Sequence, residues 1–167
     1  EMLRSLVGSE MCIRDRTLAK VFVDEKMSFL RSFETERLFS DYETKQVLGQ
    51  GEIISVRMME LYLKEQGKNP IRLSALDFIC TDQYGEPDFP RIQDRLLQTM
   101  ADYPTETLFL TEGYICLNAY SEMDNLKRGG SDYTATIIGS VLDAKEIQIW
   151  TDIDGMHNND PRVVEHT

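Results

Sequence analysis

Positive charge is scarce in this chain: 18 lysines and arginines stand against 29 aspartates and glutamates, for a formal net charge of −11. A nucleic-acid partner would require a basic stripe to overcome that field, and the sequence holds none. Histidine is nearly absent, and His157 and His166 have no partners at ligand spacing, so no zinc site is expected. The three cysteines, Cys12, Cys80 and Cys116, are odd in number and far apart. They exclude a disulfide framework and fit inert, buried thiols in a reduced compartment. No glycine–lysine phosphate loop of the Walker type occurs, and Gly49-Gln50-Gly51 lacks the third glycine of a dinucleotide fingerprint. Asp152-Ile153-Asp154-Gly155 hints at a calcium loop, but its glycine comes too early and Val163 stands where the bidentate Glu belongs. No resident metal is expected. No apolar run approaches the roughly 20 residues of a membrane span, and the expectation is a cytoplasmic protein without a membrane partner.

What remains reads as one domain with a real core, since 167 residues suffice for it. Glu1 to Arg16 has neither a signal-peptide pattern nor a clean helical period and resembles a stretch that recurs ahead of unrelated proteins as if translated from a sequencing adapter, so an artefactual leader is expected, with an ordinary N-terminal helix as the alternative. Residues 17–167 carry the fold. Apolar spacing predicts a helix over Thr17–Phe33, and Ser40-Asp41-Tyr42-Glu43 has the form of a capping box opening a short helix. Gly49 and Gly51 should interrupt it, with a second helix from Glu52 to Gln66 closed by Gly67 and burying Ile53, Val56, Met59 or Leu61, and Leu63. Ile71–Ile79 predicts one or two strands broken near Ser74, followed by a turn at Gln83–Pro87. Asp88 should cap a helix over Phe89–Met100 with Ile92, Leu96, Leu97 and Met100 on its buried face. Thr107–Thr111 predicts a strand, Asn118–Leu126 a polar surface loop, Asp132–Leu142 a helix, and Glu146–Thr151 a strand. Strands alternating with helices imply an α/β fold with a mostly parallel sheet.

In open sheets of that kind ligands bind beyond the carboxyl ends of the strands. Three segments fall there: Thr111-Glu112-Gly113, the loop Lys127-Arg128-Gly129-Gly130-Ser131-Asp132, and Thr151-Asp152. The second has the makings of an anion site. Its glycines permit close approach, Ser131 is a suitable N-cap, and a helix N-terminus attracts carboxylate or phosphate. Arg128 adds a planar fork that matches either anion. The same residues also describe a capped helix whose arginine merely faces water. Glu52 has two readings as well: a first-turn charge complementing the helix dipole, or a ligand-binding carboxylate beside a glycine.

Arg128-Gly129-Gly130-Ser131-Asp132, then Trp150-Thr151-Asp152-Ile153-Asp154-Gly155 and Asp160-Pro161-Arg162, closely resemble the aspartokinases of the amino-acid kinase superfamily. Gly51-Glu52-Ile53-Ile54-Ser55 matches the family's Gly-Glu-x-x-Ser, and Glu112-Gly113-Tyr114-Ile115 stands where the family usually has Gln-Gly-Phe-Ile. The likeness covers nearly everything after about residue 36. It implies a three-layer α/β/α sandwich of the carbamate-kinase-like type, incomplete here. It also implies ATP-dependent phosphorylation of the L-aspartate β-carboxylate, with Mg²⁺ carried largely by the nucleotide phosphates. Under it, Arg128 pairs with the substrate α-carboxylate, Glu52 with the substrate ammonium, and Asp132 helps orient the amine and the catalytic lysine. Gly129, Gly130 and Ser131 provide backbone donors. Thr151, Asp152, His157 and Arg162 contact the nucleotide, His157 standing where relatives often have Tyr.

The departures are equally specific. The family's opening Lys-Phe-Gly-Gly-Thr loop, which supplies the catalytic lysine, does not occur in these 167 residues, nor do the regulatory ACT domains. Lys127 replaces a common Gly, and Asp124-Asn125 replaces Thr-Thr. The expectation is therefore an internal fragment of the catalytic domain, inactive alone, from a homo-oligomeric parent. Another amino-acid kinase, or a non-catalytic nucleotide- or amino-acid-binding module on the same fold, are the alternatives.

Overall fold

The computed structural model describes residues 16–34, 38–127, 129–150 and 163–164. The first helix, α1 (Arg16–Arg31), lies against α2 (Asp41–Glu65). A small apolar cluster of Ala19, Ile54 and Met58, with Phe22, Val23 and Leu61 at its edge, fills the contact. The capping box expected at Ser40 is formed: Glu43 N–H donates to Ser40 Oγ at 3.2 Å, and Ser40 N–H donates to Glu43 Oε2 at 2.8 Å. The helix ends in the expected way, with Gly67 in a left-handed conformation at φ 72°.

Between those caps the expectation fails, because α2 runs unbroken for 25 residues through both glycines. A helix-interior glycine costs about 0.5–1 kcal/mol relative to alanine, and here packing compensates. Gly49 is buried, and a Cβ on it would run into the end of Met123 and come within 3.1 Å of Ile115 Cγ2. Gly49 lets the helix settle on the strands below it. The buried face is accordingly Gly49, Gln50, Ile54, Met58 and Glu60, while Met59 turns outward. Lys45 fastens the same junction, with Nζ 2.7 Å from Asp41 and 3.1 Å from Asp124.

Strand β1 (Ile71–Arg72) pairs in parallel with β2 (Phe109–Leu110) in the register Ile71↔Phe109. The predicted second strand after Ser74 is instead the short helix α3 (Ala75–Phe78), and only Ile79–Thr81 resumes an extended course. There it runs alongside β3 (Ile115–Leu117), with Leu117 N–H donating to Ile79 O and Thr81 N–H to Leu117 O, both at 2.9 Å. Asn118–Leu126 is not a surface loop. It turns at Asn118–Ser121 and returns as β4 (Met123–Asn125), antiparallel to β3. Met123 and Leu126 are the buried residues that a reading of overall polarity overlooks.

Helix α4 (Phe89–Ala101) starts as predicted at Asp88, whose side chain accepts the Arg91 N–H, and buries Ile92 and Leu96 while Leu97 stays exposed. Helix α5 is Gly130–Val141. Of the strand predicted over Glu146–Thr151, residues 146–150 join no ladder among the described residues, Trp150 is exposed, and Thr151 lies outside the described residues. The described pairing is thus mixed: β1–β2 and the Cys80–Leu117 bridge are parallel, while β3–β4 and the Thr81–Pro87 bridge are antiparallel. Phe78, Ile79, Ile92, Ile115 and Ile137 are fully buried where α3, α4, α5 and β3 meet. Each contributes about 1.5–3 kcal/mol by leaving water.

Valine at Gly49 should expose the packing constraint. Gly49→Val is expected to destabilise the chain by about 1–3 kcal/mol through overpacking against Met123 and Ile115. An unchanged urea midpoint would show that the helix can lift off the hairpin freely.

Candidate functional site

The carboxyl end of β2 and the amino end of α5 meet through residues that have no room for side chains. A Cβ on Gly113 would lie 2.9 Å from Ser131 Cα, Cβ and Oγ. One on Gly130 would lie 2.8 Å from the Tyr114 ring and 3.1 Å from Tyr114 Cα. Separations below 3.0 Å from backbone atoms force movement, so two glycines set the distance between the strand end and the helix. Polar bonds lock the same seam. Tyr114 N–H donates to Thr134 Oγ1 at 3.1 Å, and Thr134 Oγ–H donates to Gly130 O at 2.8 Å.

Helix α5 begins two residues earlier than expected. Its N-cap is Gly129 at φ 77°, not Ser131, and no side-chain cap bond is made. A left-handed residue is needed where the chain turns into the helix, and glycine adopts it without penalty. Ser131 instead lies in the first turn with its side chain against Gly113. Asp132, also in the first turn, is exposed and complements the helix dipole.

A cleft of about 270 Å³ opens at this point, lined by Glu52, Tyr114, Lys127, Gly129, Gly130, Ser131 and Asp132. Five sequence-predicted site residues, Glu52, Gly129, Gly130, Ser131 and Asp132, are therefore brought together from distant parts of the chain. A larger cleft of about 460 Å³ shares Glu52 and Ser131 and extends over Thr111, Glu112 and Gly113 toward Ile138 and Ile147. Arg128, Thr151, Asp152, His157 and Arg162 lie outside the described residues. Of the three strand-end segments expected to converge, two do, and the third falls in that group.

Glu52 differs from expectation in its setting. It sits in the middle of α2, not at a helix start, so the dipole contributes nothing to it. It is half-buried, and burial first, then the charge of Glu112, push its carboxyl above the ordinary range. A carboxylate destabilised in this way is suited to receive a cation.

Tyr114 and Lys127 were not among the predicted site residues, and both hold positive φ, 67° and 63°. Left-handed non-glycine residues cost on the order of 1–3 kcal/mol and gather at functional sites. The Lys127 turn is held by its N–H donating to Asn125 Oδ1 at 3.2 Å and its carbonyl accepting Gly130 N–H at 3.1 Å. The signal available in sequence was the lysine standing at a position that favours glycine. Among the described residues no group of three metal-ligating side chains occurs, and no helix is long and apolar enough to cross a membrane. Cys80 and Cys116 are free and buried, and burial pushes the Cys116 thiol up to about 12.

The fold and the cleft at a glycine-built helix start describe a mixed α/β domain with a charged surface cleft. The family model described as amino acid kinase family matches residues 8–167, and the chain belongs to that family. Its relatives include a bifunctional aspartokinase/homoserine dehydrogenase 2 from Zea mays, 33% identical over 75% of this chain, and one from Escherichia coli, 34% identical over 72%. Among solved structures, E. coli aspartokinase III in complex with aspartate and ADP matches with a TM-score of 0.80 and 26% identity over 92% of this chain. The chain is homologous to part of these aspartokinases. It spans 14% and 15% of the two bifunctional relatives and 36% of the solved chain.

The Glu52 environment sets a pH dependence with a definite sign. Because the folded carboxyl holds its proton more tightly than the unfolded one (about 4.3 for a free Glu), this residue erodes stability as pH rises through that range. Glu52→Gln is therefore expected to match the parent at pH 4 and exceed it at pH 7 in urea unfolding. Equal stabilities at pH 7 would contradict it. For the seam, Gly113→Ala should cost about 1–3 kcal/mol by pushing on Ser131, and a neutral result would show that the contact gives way.

Proposed function

We propose that this chain is part of the catalytic domain of an aspartate kinase. The reaction transfers the γ-phosphoryl of ATP to the β-carboxylate of L-aspartate, giving 4-phospho-L-aspartate and ADP, the step that opens lysine, threonine and methionine synthesis. The observation that carries the reading is the meeting of Glu52 with Gly129–Asp132 in one cleft, in a chain whose solved relative is described with aspartate and ADP.

In this reading Glu52 receives the substrate ammonium. Its half-buried, destabilised carboxylate fits that cation, which would lower the carboxyl's hold on its proton. Arg128 grips the α-carboxylate through two parallel hydrogen bonds, a task for which lysine is a poor replacement. In the first turn of α5 the Gly130 and Tyr133 amides are bonded to Lys127 O and Gly129 O, which leaves the Ser131 amide to offer a donor to an anion. Ser131 and Asp132 complete the cradle, Asp132 orienting the amine and the catalytic lysine. Thr151, Asp152, His157 and Arg162 are assigned to the nucleotide, Arg162 to its phosphates, with Mg²⁺ carried by those phosphates.

The attacking β-carboxylate is already an anion at neutral pH, so no general base is needed. The work left to the protein is to align two negative reactants and offset the charge of the transferring phosphoryl. These 167 residues contain no Lys-Phe-Gly-Gly-Thr loop, so turnover is assigned to a chain that also supplies it.

Hydroxylamine trapping of aspartyl phosphate tests the proposal. In a chain carrying these residues and the phosphate loop, Arg128→Ala should lower kcat/KM for aspartate by about 30- to 1000-fold, the loss of a buried charge partner. The 167 residues alone should form no hydroxamate. Turnover of glutamate, acetylglutamate or carbamate but not aspartate would point to a sister kinase. Nucleotide binding without turnover of any of them would point to a binding module.

A further inference from the structure

Among the described residues two acidic side chains are almost completely buried, Glu60 of α2 at 4% exposure and Glu112, just past β2, at 1%. One arginine stands between them. Arg72, the last residue of β1, donates from Nη1 to Glu112 Oε1 at 3.0 Å, and its Nε lies 3.4 Å from Glu60 Oε2. The other Glu112 oxygen accepts the backbone N–H of Ala75, the first residue of α3, at 2.9 Å. Glu60 is held in addition by Arg57 and, at 2.6 Å, by Lys64.

Removing an ion from water costs several kcal/mol, and only partners of good geometry offset it. Glu112 has a partner on each oxygen. A neutral amide of the same length would still offer an acceptor at this position with a smaller desolvation cost. The family that this chain resembles usually has Gln at this position, so the charge in this chain calls for a use.

The candidate site begins one residue away. Gly113 follows Glu112 and abuts Ser131, and Glu112 lines the larger cleft together with Glu52 and Ser131. We propose that Arg72 and Glu112 are a positioning pair for this cleft: they clamp Thr111–Gly113 to the ends of β1 and α3, seat Gly113 against Ser131, and hold a second negative charge behind Glu52 that strengthens the hold on a substrate ammonium group. The inference rests on the reading of Glu52 as the ammonium site. Neither member of the pair is catalytic, since both act through Gly113 and Glu52.

The titratable and charged groups around Glu52 are Glu112 and Tyr114 beside β3, Lys127 and Asp132 at the start of α5, and Glu146 beyond its end. Among them Glu112 is the one whose charge, after burial, raises the Glu52 carboxyl. A ligand ammonium thus touches Glu52 while Glu112, its charge partly offset by Arg72, stands behind it.

Glu112→Gln, made in this chain, separates charge from shape. Carbon-13 NMR of the Glu52 side-chain carboxyl should show its titration midpoint falling in the variant, and L-aspartate affinity at pH 7 should weaken by about fivefold or more, a modest intersite coupling. A Glu52 midpoint that does not move overturns the proposal. Absence of aspartate binding in the parent chain would count against the kinase reading instead, while the midpoint comparison still decides the pair. Should Glu112→Gln fail to fold, Arg72→Lys supplies the test. Lysine keeps the charge but lacks the fork that reaches Glu60 and Glu112 together, so hydrogen-exchange protection of the Ala75 amide should fall at least tenfold with the Glu52 midpoint unchanged. Protection equal to the parent's would overturn the clamp.

Discussion

The close approach of β2 to the start of α5 is the constraint on which the candidate site depends. Gly113 against Ser131 and Gly130 against Tyr114 leave no space for a Cβ on either glycine, and close-packed interiors transmit such contacts as fixed distances. Everything that lines the smaller cleft is referred to that seam. Gly129 turns the chain into the helix, Thr134 bridges Tyr114 to Gly130, and Lys127 accepts a left-handed conformation so that its carbonyl reaches Gly130. The glycines of this region serve packing and turning in specific, separable ways.

A second constraint is electrostatic. The chain is strongly acidic, and its two most buried carboxylates are not left to repel one another. Arg72 separates Glu60 from Glu112, and for Glu60 the hydrogen bonds from Lys64 and Arg57 outweigh burial, holding its carboxyl below the ordinary range. Glu52 lacks such a partner among the described residues and moves the other way. Glu65 near the end of α2 is likewise without a partner for its buried carboxylate oxygens, so it is the position of Glu52 at the cleft, together with its lack of a partner, that sets Glu52 apart.

How much of this was legible in the sequence varies with the range of the interaction. Local chemistry was readable: the Ser40–Glu43 capping box, the Gly67 terminus, the Asp88 cap and the turn at Gly85 all form. So was the membership of the cleft, because Glu52 and Gly129–Asp132 belong to motifs whose spacing the family resemblance fixes. The failures share a cause. Gly49 reads as a helix breaker because its compensating contacts, Met123 and Ile115, lie far along the chain. The β4 strand reads as loop because Asp124 and Asn125 mask the two apolar positions that the fold uses. Glu146–Trp150 alternates like a strand, yet alternation requires a partner to become a ladder, and none pairs with it among the described residues. Tyr114 and Lys127 entered the cleft through backbone conformation, which residue type does not announce.

On the proposed reading, the same features account for selectivity as well as binding. A cleft carrying Glu52, Asp132 and, behind them, Glu112 repels a simple dianion, whatever the helix amides and Arg128 contribute. Only a substrate that brings its own ammonium neutralises Glu52 on entry. An N-acylated amino acid would bury that carboxylate unpaired, and leaving a buried charged group without its partner costs about 1–3 kcal/mol or more. Glutamate carries the ammonium and passes this filter, so it has to be rejected by length, at the point where its longer arm overshoots the phosphoryl. Discrimination by an added methylene is worth only about 1–3 kcal/mol. On that reading, charge would exclude acylated substrates, and length would be left to separate aspartate from glutamate.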